Sequence, residues 1–342
     1  SNRADFVILT HRSLRDAVQP LADLRKSQGL ETTVVDVEDV YDEFSYGAKS
    51  RTAITDFLSL AKNYWSLAPR YLLFFGDASF DPRNYQGFGG DDLVPTKLIN
   101  TSVLKTSSDD AFVDFDNDGL PDMAVGRLPV QNVQQAQLVV GRIIGYAPGQ
   151  TNNSALLVSD HHQSFDFEAA SNQLRTLLPA GLSVTMVNRG TNPTAQVKSE
   201  IISGINAGPM IVNYAGHGSQ EVWSGAAVLS STDVAALTNG NRLPLFISMT
   251  CLNGRFEDSN RVSLAEALLK AENGGAIAVW ASSGLTEPSA QSAIDQQLIR
   301  LLFADGQSPM LGDAVRGAKA ATTDPDVRRT WILFGDPTMR MR

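Results

Sequence analysis

A single cysteine, Cys251, stands among the 342 residues. That scarcity excludes an internal disulfide and a zinc site built on a cysteine cluster. Histidine is nearly as rare, with 4 residues, and His161 and His162 are adjacent rather than spaced as metal ligands. No run approaches the ~18 apolar residues that a membrane helix needs. No transmembrane segment is therefore expected, and no charged-then-apolar leader opens the chain. Basic residues are in the minority, 28 Lys and Arg against 37 Asp and Glu, for a formal net charge of -9. Phosphate binding rests on clustered Lys and Arg, which are scattered here, so nucleic acid is not an expected partner. An acidic surface suits cationic substrates better. Internal repeats and low-complexity tracts are also lacking.

What is present is an ordinary globular composition, 43% hydrophobic and 19% charged, with length for two α/β units. Phe6–Thr10, Thr32–Val37 and Tyr71–Phe75 read as buried strands. Between them lie a helix carrying Leu21, Leu24 and, near its first turn, Pro20, and a helix carrying Ile54, Phe57, Leu58, Ala61 and Tyr64. Alternating strand and helix predicts an α/β fold of mostly parallel sheets flanked by helices. A turn-rich joint at Pro148–Asn153 divides residues 1–149 from 150–342, and the alternation then resumes.

From Ala78 to Val113 the periodicity vanishes, and the long connection ends in Asp114-Phe115-Asp116-Asn117-Asp118-Gly119-Leu120-Pro121-Asp122. Carboxylates at alternate residues and a Gly for the tight turn are the ligand pattern of a calcium loop. Asp114, Asp116, Asp118 and Asp122 would supply side chains and Leu120 a carbonyl, with Asp109 and Asp110 available to complete the shell. The flanks are not helical and Val125 stands where an EF-hand has Glu, so Ca2+ here would be structural rather than part of an EF-hand. The competing reading is a solvated acidic turn.

The chemistry concentrates at two apolar runs that each end in a reactive side chain. One leads into Gly216-His217-Gly218; the other, Leu245–Thr250, leads into Cys251. In open α/β sheets reactive groups collect at the carboxyl ends of parallel strands, so His217 and Cys251 form a candidate base and nucleophile. Gly218 and Cys251 amides are the natural oxyanion donors, since glycine lets backbone approach a substrate carbonyl closely. A cysteine held only for packing would more often sit inside its strand. Zinc lacks a second thiol. Ser282-Ser283-Gly284, beyond a further strand, are candidates to pair with an extended substrate, and Trp223 and Trp280 are candidate pocket walls.

Asn213-Tyr214-Ala215-Gly216-His217-Gly218-Ser219 and Ser248-Met249-Thr250-Cys251-Leu252-Asn253-Gly254 resemble the gingipain-type cysteine peptidases of the caspase-like clan. Leu72–Ala78, Asp122–Pro129 and Gly335-Asp336-Pro337-Thr338 carry the likeness across the chain. The resemblance implies a caspase-like fold with two α/β subdomains side by side, the second catalytic, and bound calcium. It implies that an acidic strand-end residue, matched here by Asp160, orients the imidazole of His217. It further implies cleavage of protein or peptide substrates after a basic P1 residue held by an acidic side chain, for which Asp166, Glu168, Glu221, Glu257 and Glu287 are candidates. A bacterial extracellular or cell-surface location follows from the family and the calcium loop together, with flanking domains or a propeptide as further partners. Two rival readings remain: a sortase-like transpeptidase of a secretion system, and a calcium-stabilised surface binding module with an inactive site.

Overall fold

A computed structural model describes residues 2–89, 92–147, 149–304 and 308–341. Pro148 of the expected joint lies outside the described residues. In chain order the strands are β1 (Phe6–Thr10), β2 (Thr32–Asp36), β3 (Tyr71–Phe75), β4 (Lys97–Asn100), β5 (Lys105–Ser108), β6 (Ala124–Leu128) and β7 (Asn152–Ser159). They continue as β8 (Ser183–Asn188), β9 (Pro209–Ala215), β10 (Val222–Trp223), β11 (Leu229–Ser230), β12 (Leu245–Met249), β13 (Ala278–Ser282) and β14 (Trp331–Phe334). The helices that matter below are α1 (Arg15–Ser27), α2 (Val37–Ser45), α3 (Arg51–Tyr64), α4 (Val133–Gly145), α5 (Phe167–Arg175), α6 (Thr194–Asn206), α7 (Leu264–Lys270), α8 (Pro288–Leu302), α9 (Leu311–Lys319) and α10 (Pro325–Thr330).

Ten strands form one sheet in the order β2-β1-β3-β6-β14-β13-β12-β9-β7-β8. The two halves of the chain therefore meet within a single sheet. The meeting point is β14, which runs parallel to β6 and antiparallel to β13. Two five-strand parallel blocks of opposite direction result, so the amino end of β6 and the carboxyl ends of β13, β12 and β9 share one edge. Strands such as Phe6–Thr10 and Tyr71–Phe75 are buried at every residue, as sheets covered on both faces require. The core on one face runs unbroken from Phe6 in β1 to Val187 in β8, across both halves.

Three local readings change. Pro20 lies inside α1 rather than near its first turn, where its ring removes one helical hydrogen bond. Val37 starts α2, capped by the Asp36 side chain, instead of ending β2. The aperiodic stretch before the acidic loop holds a hairpin, β4 and β5, paired antiparallel from Lys97↔Ser108 to Asn100↔Lys105.

One buried cation ties the halves together. Arg127 in β6 is fully buried, donates to Asp109 through Nε and Nη2 (2.5 and 2.8 Å) and to the carbonyls of Gly76, Val94 and Pro95. Its guanidinium carbon lies 4.9 Å from the Phe74 ring centroid and 4.8 Å from that of Phe256, in the loop after Cys251. A buried charge is tolerable only with such complete pairing.

Candidate active site

β9 and β12 are adjacent and parallel, with Ala215 opposite Met249. His217 and Cys251 each stand two residues past those partners, so both emerge at the same edge of the sheet. The Gly216 N–H donates to the Met249 carbonyl (3.1 Å), zipping the two exits together. Asn253 is buried, and its side-chain amide donates to the carbonyls of Ser219 and Val222, which pins the cysteine loop to the histidine loop. The glycines are sterically required here. A Cβ on Gly216 would lie 2.4 Å from the Tyr214 hydroxyl, and one on Gly218 would lie 2.5 Å from Thr250 Oγ1.

The Cys251 thiol is half-buried and faces the Thr286 carbonyl at 3.8 Å. Burial pushes its pKa up, the contact with Thr286 opposes this, and the Glu287 carboxylate raises it further. The resting thiol is thus held neutral and needs a base to become a nucleophile. His217 packs edge-on against Phe167, with centroids 5.2 Å apart, and its Nε2 is buried without a hydrogen-bond partner. Leu252, just past the thiol, has φ +63°, a left-handed conformation that costs a branched residue free energy and is held by the surrounding loop. Neither the Gly218 nor the Cys251 N–H donates to a backbone acceptor among the described residues.

Asp160 ends up beside this pair, one residue beyond β7, but its contact with His217 differs from the expected one. Its Oδ2 accepts from the His217 peptide N–H (3.3 Å), not from the ring. Oδ1 accepts from Ser224 Oγ (3.0 Å), from the His161 N–H (2.8 Å) and from Arg189 Nη1 (3.1 Å), and lies 2.9 Å from His161 Nδ1. Burial alone would raise this carboxyl, but the His161, Ser224 and Arg189 hydrogen bonds outweigh it and hold the pKa below the usual range. The Tyr214 hydroxyl and the Ser224 N–H both bond the His217 carbonyl at 2.6 Å, so the histidine is fixed through its backbone at both ends.

Several expected substrate contacts are corrected. Trp280, Ser282 and Ser283 are fully buried. Ser282 belongs to β13, its hydroxyl meeting Thr330 Oγ1, while the Ser283 hydroxyl donates to the Ser107 carbonyl. The Gly284 carbonyl is taken by the Leu252 N–H. These residues hold the site from behind, because β14 occupies the flank of β13 that a substrate strand would need; residues 285–287, whose Thr286 carbonyl faces the thiol, are partly or fully exposed. Trp223 is buried and stacks on Tyr214 (4.4 Å, 6°). Glu221 is half-buried and pairs with Arg261 at 3.5 Å. Glu257 is buried against Thr106 and Ser107. Asp166 caps α5 and Glu168 binds Asn188, both exposed.

An acid outside those candidates lies directly beneath the site. Asp295 in α8 is buried, and among the described residues its only hydrogen bonds are from Asn213 Nδ2 of β9 (2.8 and 3.0 Å). Desolvation pushes its pKa up to about 7, against the Asn213 hydrogen bond. It lines a narrow recess with Phe165, Phe167, Ser171, Ala215 and Met249. The signal in the sequence was an acid on the face of α8 that carries Ile294, Leu298 and Ile299.

At the same sheet edge, before β6, Asp114, Asp116 and Asp118 bring carboxylate oxygens within 4.8 Å of one another and could bind a metal. Asp114 Oδ1 is buried without a partner, as a ligand atom would be. Asp122 accepts from the Phe115 N–H, while the Arg328 side chain donates to the Asp118 carbonyl and so ties the loop to α10. Asp109 and Asp110 are not available to the loop, because they pair with Arg127 and Lys319.

The profile of peptidase family C25 matches residues 1–342. Gingipain R2 of Porphyromonas gingivalis is 23% identical over 362 residues, covering 98% of this chain and 46% of the relative. The chain thus spans about half the length of that protein. The crystal structure of the Arg-specific cysteine proteinase gingipain R superposes with TM-score 0.83 at 22% identity, over 100% of this chain and 79% of that one. A complex of the pro- and mature domains of RgpB from the same organism superposes with TM-score 0.81 at 22% identity, over 97% and 78%. These likenesses establish the α/β fold.

Proposed function

Because the chain belongs to peptidase family C25, a family of cysteine peptidases, we propose that it is an endopeptidase with Cys251 as nucleophile and His217 as base and then acid. The observation that carries the reading is the pairing of β9 with β12, which brings both residues to one edge with two amides free beside them. His217 takes the thiol proton, and the thiolate attacks the peptide carbonyl carbon. The Gly218 and Cys251 N–H groups receive the developing oxyanion. His217 then protonates the leaving amine, and water resolves the thioester. Asp160 serves as a positioning residue that holds His217 through its peptide N–H.

A basic P1 side chain would enter the recess above Asp295. In the resting chain this recess holds only about 10 Å³, so a long side chain can enter only if the lining gives way. A cation there would meet a carboxylate that burial leaves close to neutral, and would favour its ionisation. Calcium suits the Asp114, Asp116 and Asp118 cluster, with the Leu120 carbonyl and Asp122 completing an all-oxygen shell. The ion would stiffen the loop before β6, and no step of the reaction passes through it. With the relatives, such a site favours an extracellular or cell-surface location, where calcium is plentiful.

The test is a peptide library profiled by mass spectrometry, with and without an added amine. Cleavage after Arg or Lys with hydrolysed products is expected. Amine-capped products would indicate transpeptidation instead. No cleavage and no acyl adduct on Cys251 would contradict the proposal in favour of a binding module.

A further inference from the structure

On the far side of His217 from Cys251 lies an open recess of about 440 Å³, lined by His217 itself and by Asp160, His161, Gln163, Arg189 and Ser224 among others. The sheet order explains its position. β9 carries His217 at its exit, and β7 and β8, the next two strands outward, carry Asp160 and Arg189 at theirs. In acyl transfer the acyl half of the substrate stays on the thiol while the histidine protonates the leaving amine. Atoms beyond that nitrogen must therefore extend past His217, over the ends of β7 and β8.

Arg189 is underused for a residue in this position. Among the described residues only Nη1 makes hydrogen bonds, with Asp160 Oδ1 (3.1 Å) and His161 Nδ1. Among the described residues Nε is buried without an acceptor, and Nη2 has no hydrogen-bond partner. Asp160 does not need the whole guanidinium, since it also accepts from the Ser224 hydroxyl and the His161 and His217 peptide N–H groups. Among the described residues no second acid lines the recess. Glu168, in the flanking helix α5, is taken by Asn188 Nδ2 at 2.9 Å. A guanidinium whose Nη2 is unpaired, on a side chain 20% exposed, can donate a charge-assisted hydrogen bond to a carboxylate in the recess.

We infer that this recess is a subsite for the leaving half of the substrate and that Arg189 selects a carboxylate there. The carboxylate could come from an Asp or Glu side chain just after the scissile bond, or from the free carboxyl terminus of a short leaving peptide. The inference rests on the peptidase reading above, and the experiment separates the two.

Peptides sharing one acyl half are compared with Asp, Asn or Lys as the first leaving residue, each with a free or amidated terminus. Asp should exceed Asn roughly tenfold in kcat/KM, the scale of one charge-assisted contact. The preference should weaken as salt rises. Arg189→Gln should bring the Asp-to-Asn ratio to about one, and Arg189→Glu should turn it towards Lys; ratios cancel any common loss through Asp160. An advantage confined to free termini assigns the carboxylate to the chain end. Cleavage with equal rates for Asp and Asn, or a ratio that Arg189→Gln leaves unchanged, overturns the inference alone. Failure to cleave any member overturns the peptidase reading and the inference with it.

Discussion

Replacing Asp295 by Asn is the perturbation that links stability to specificity. The carboxyl is fully buried with one amide partner, and its pKa is pushed from the ordinary Asp range up to about 7. A folded-state value above the unfolded one means that the native chain holds a proton between about pH 4 and 7 that the unfolded chain has released. Stability therefore falls as pH rises through that window. At about 1.4 kcal/mol per tenfold, a gap of about three decades corresponds to a loss of up to roughly 4 kcal/mol above pH 7. Asparagine keeps the volume and an acceptor for Asn213 Nδ2, and it adds a donor beside the unpartnered Asn213 Oδ1. The variant should match the native chain at pH 5 and exceed it by a few kcal/mol at pH 8 in urea titrations. It should also lose the preference for Arg or Lys over a neutral P1 by about thirtyfold or more, the scale of a broken buried charge pair. A stability difference of the same size at pH 5 and pH 8, with P1 preference intact, would refute the reasoning.

Three other outcomes follow. Arg127→Ala should cost about 3–5 kcal/mol in urea unfolding, because it leaves the buried Asp109 carboxylate unpaired and removes the support under Phe256. Glu287→Gln removes a carboxylate that raises the Cys251 pKa, so thiol alkylation at neutral pH should quicken, with the pH midpoint of alkylation moving down. Chelation should lower the melting temperature of the native chain but not that of an Asp116→Ala, Asp118→Ala variant; no change in the native chain would count against calcium.

Strands buried along their whole length were legible because apolar runs such as Tyr71–Phe75 and Leu245–Met249, the latter broken only by Ser248, have few other uses. His217 and Cys251 were legible for the same reason, each closing such a run. The path of β14 was not legible. Trp331–Phe334 reads as a strand, but nothing local in it specifies insertion between β6 and β13, and that insertion buries Trp280, Ser282 and Ser283. Asp295 escaped notice because helical periodicity sorts residues by average hydropathy, and one acid among Ile294, Leu298 and Ile299 resembles a slip of phase. The contact of Asp160 with the peptide of His217, rather than its ring, depends on Ser224, Arg189 and His161 arriving from three separate loops.

In the proposed mechanism His217 activates Cys251. Its most direct measurement is mass spectrometry of covalent labelling by a peptidyl chloromethyl ketone, for the native chain, Cys251→Ala and His217→Ala. One adduct on Cys251 is expected in the native chain, none in Cys251→Ala, and labelling slowed by at least about a hundredfold in His217→Ala at neutral pH. Labelling of Cys251 at the native rate without His217 would contradict it.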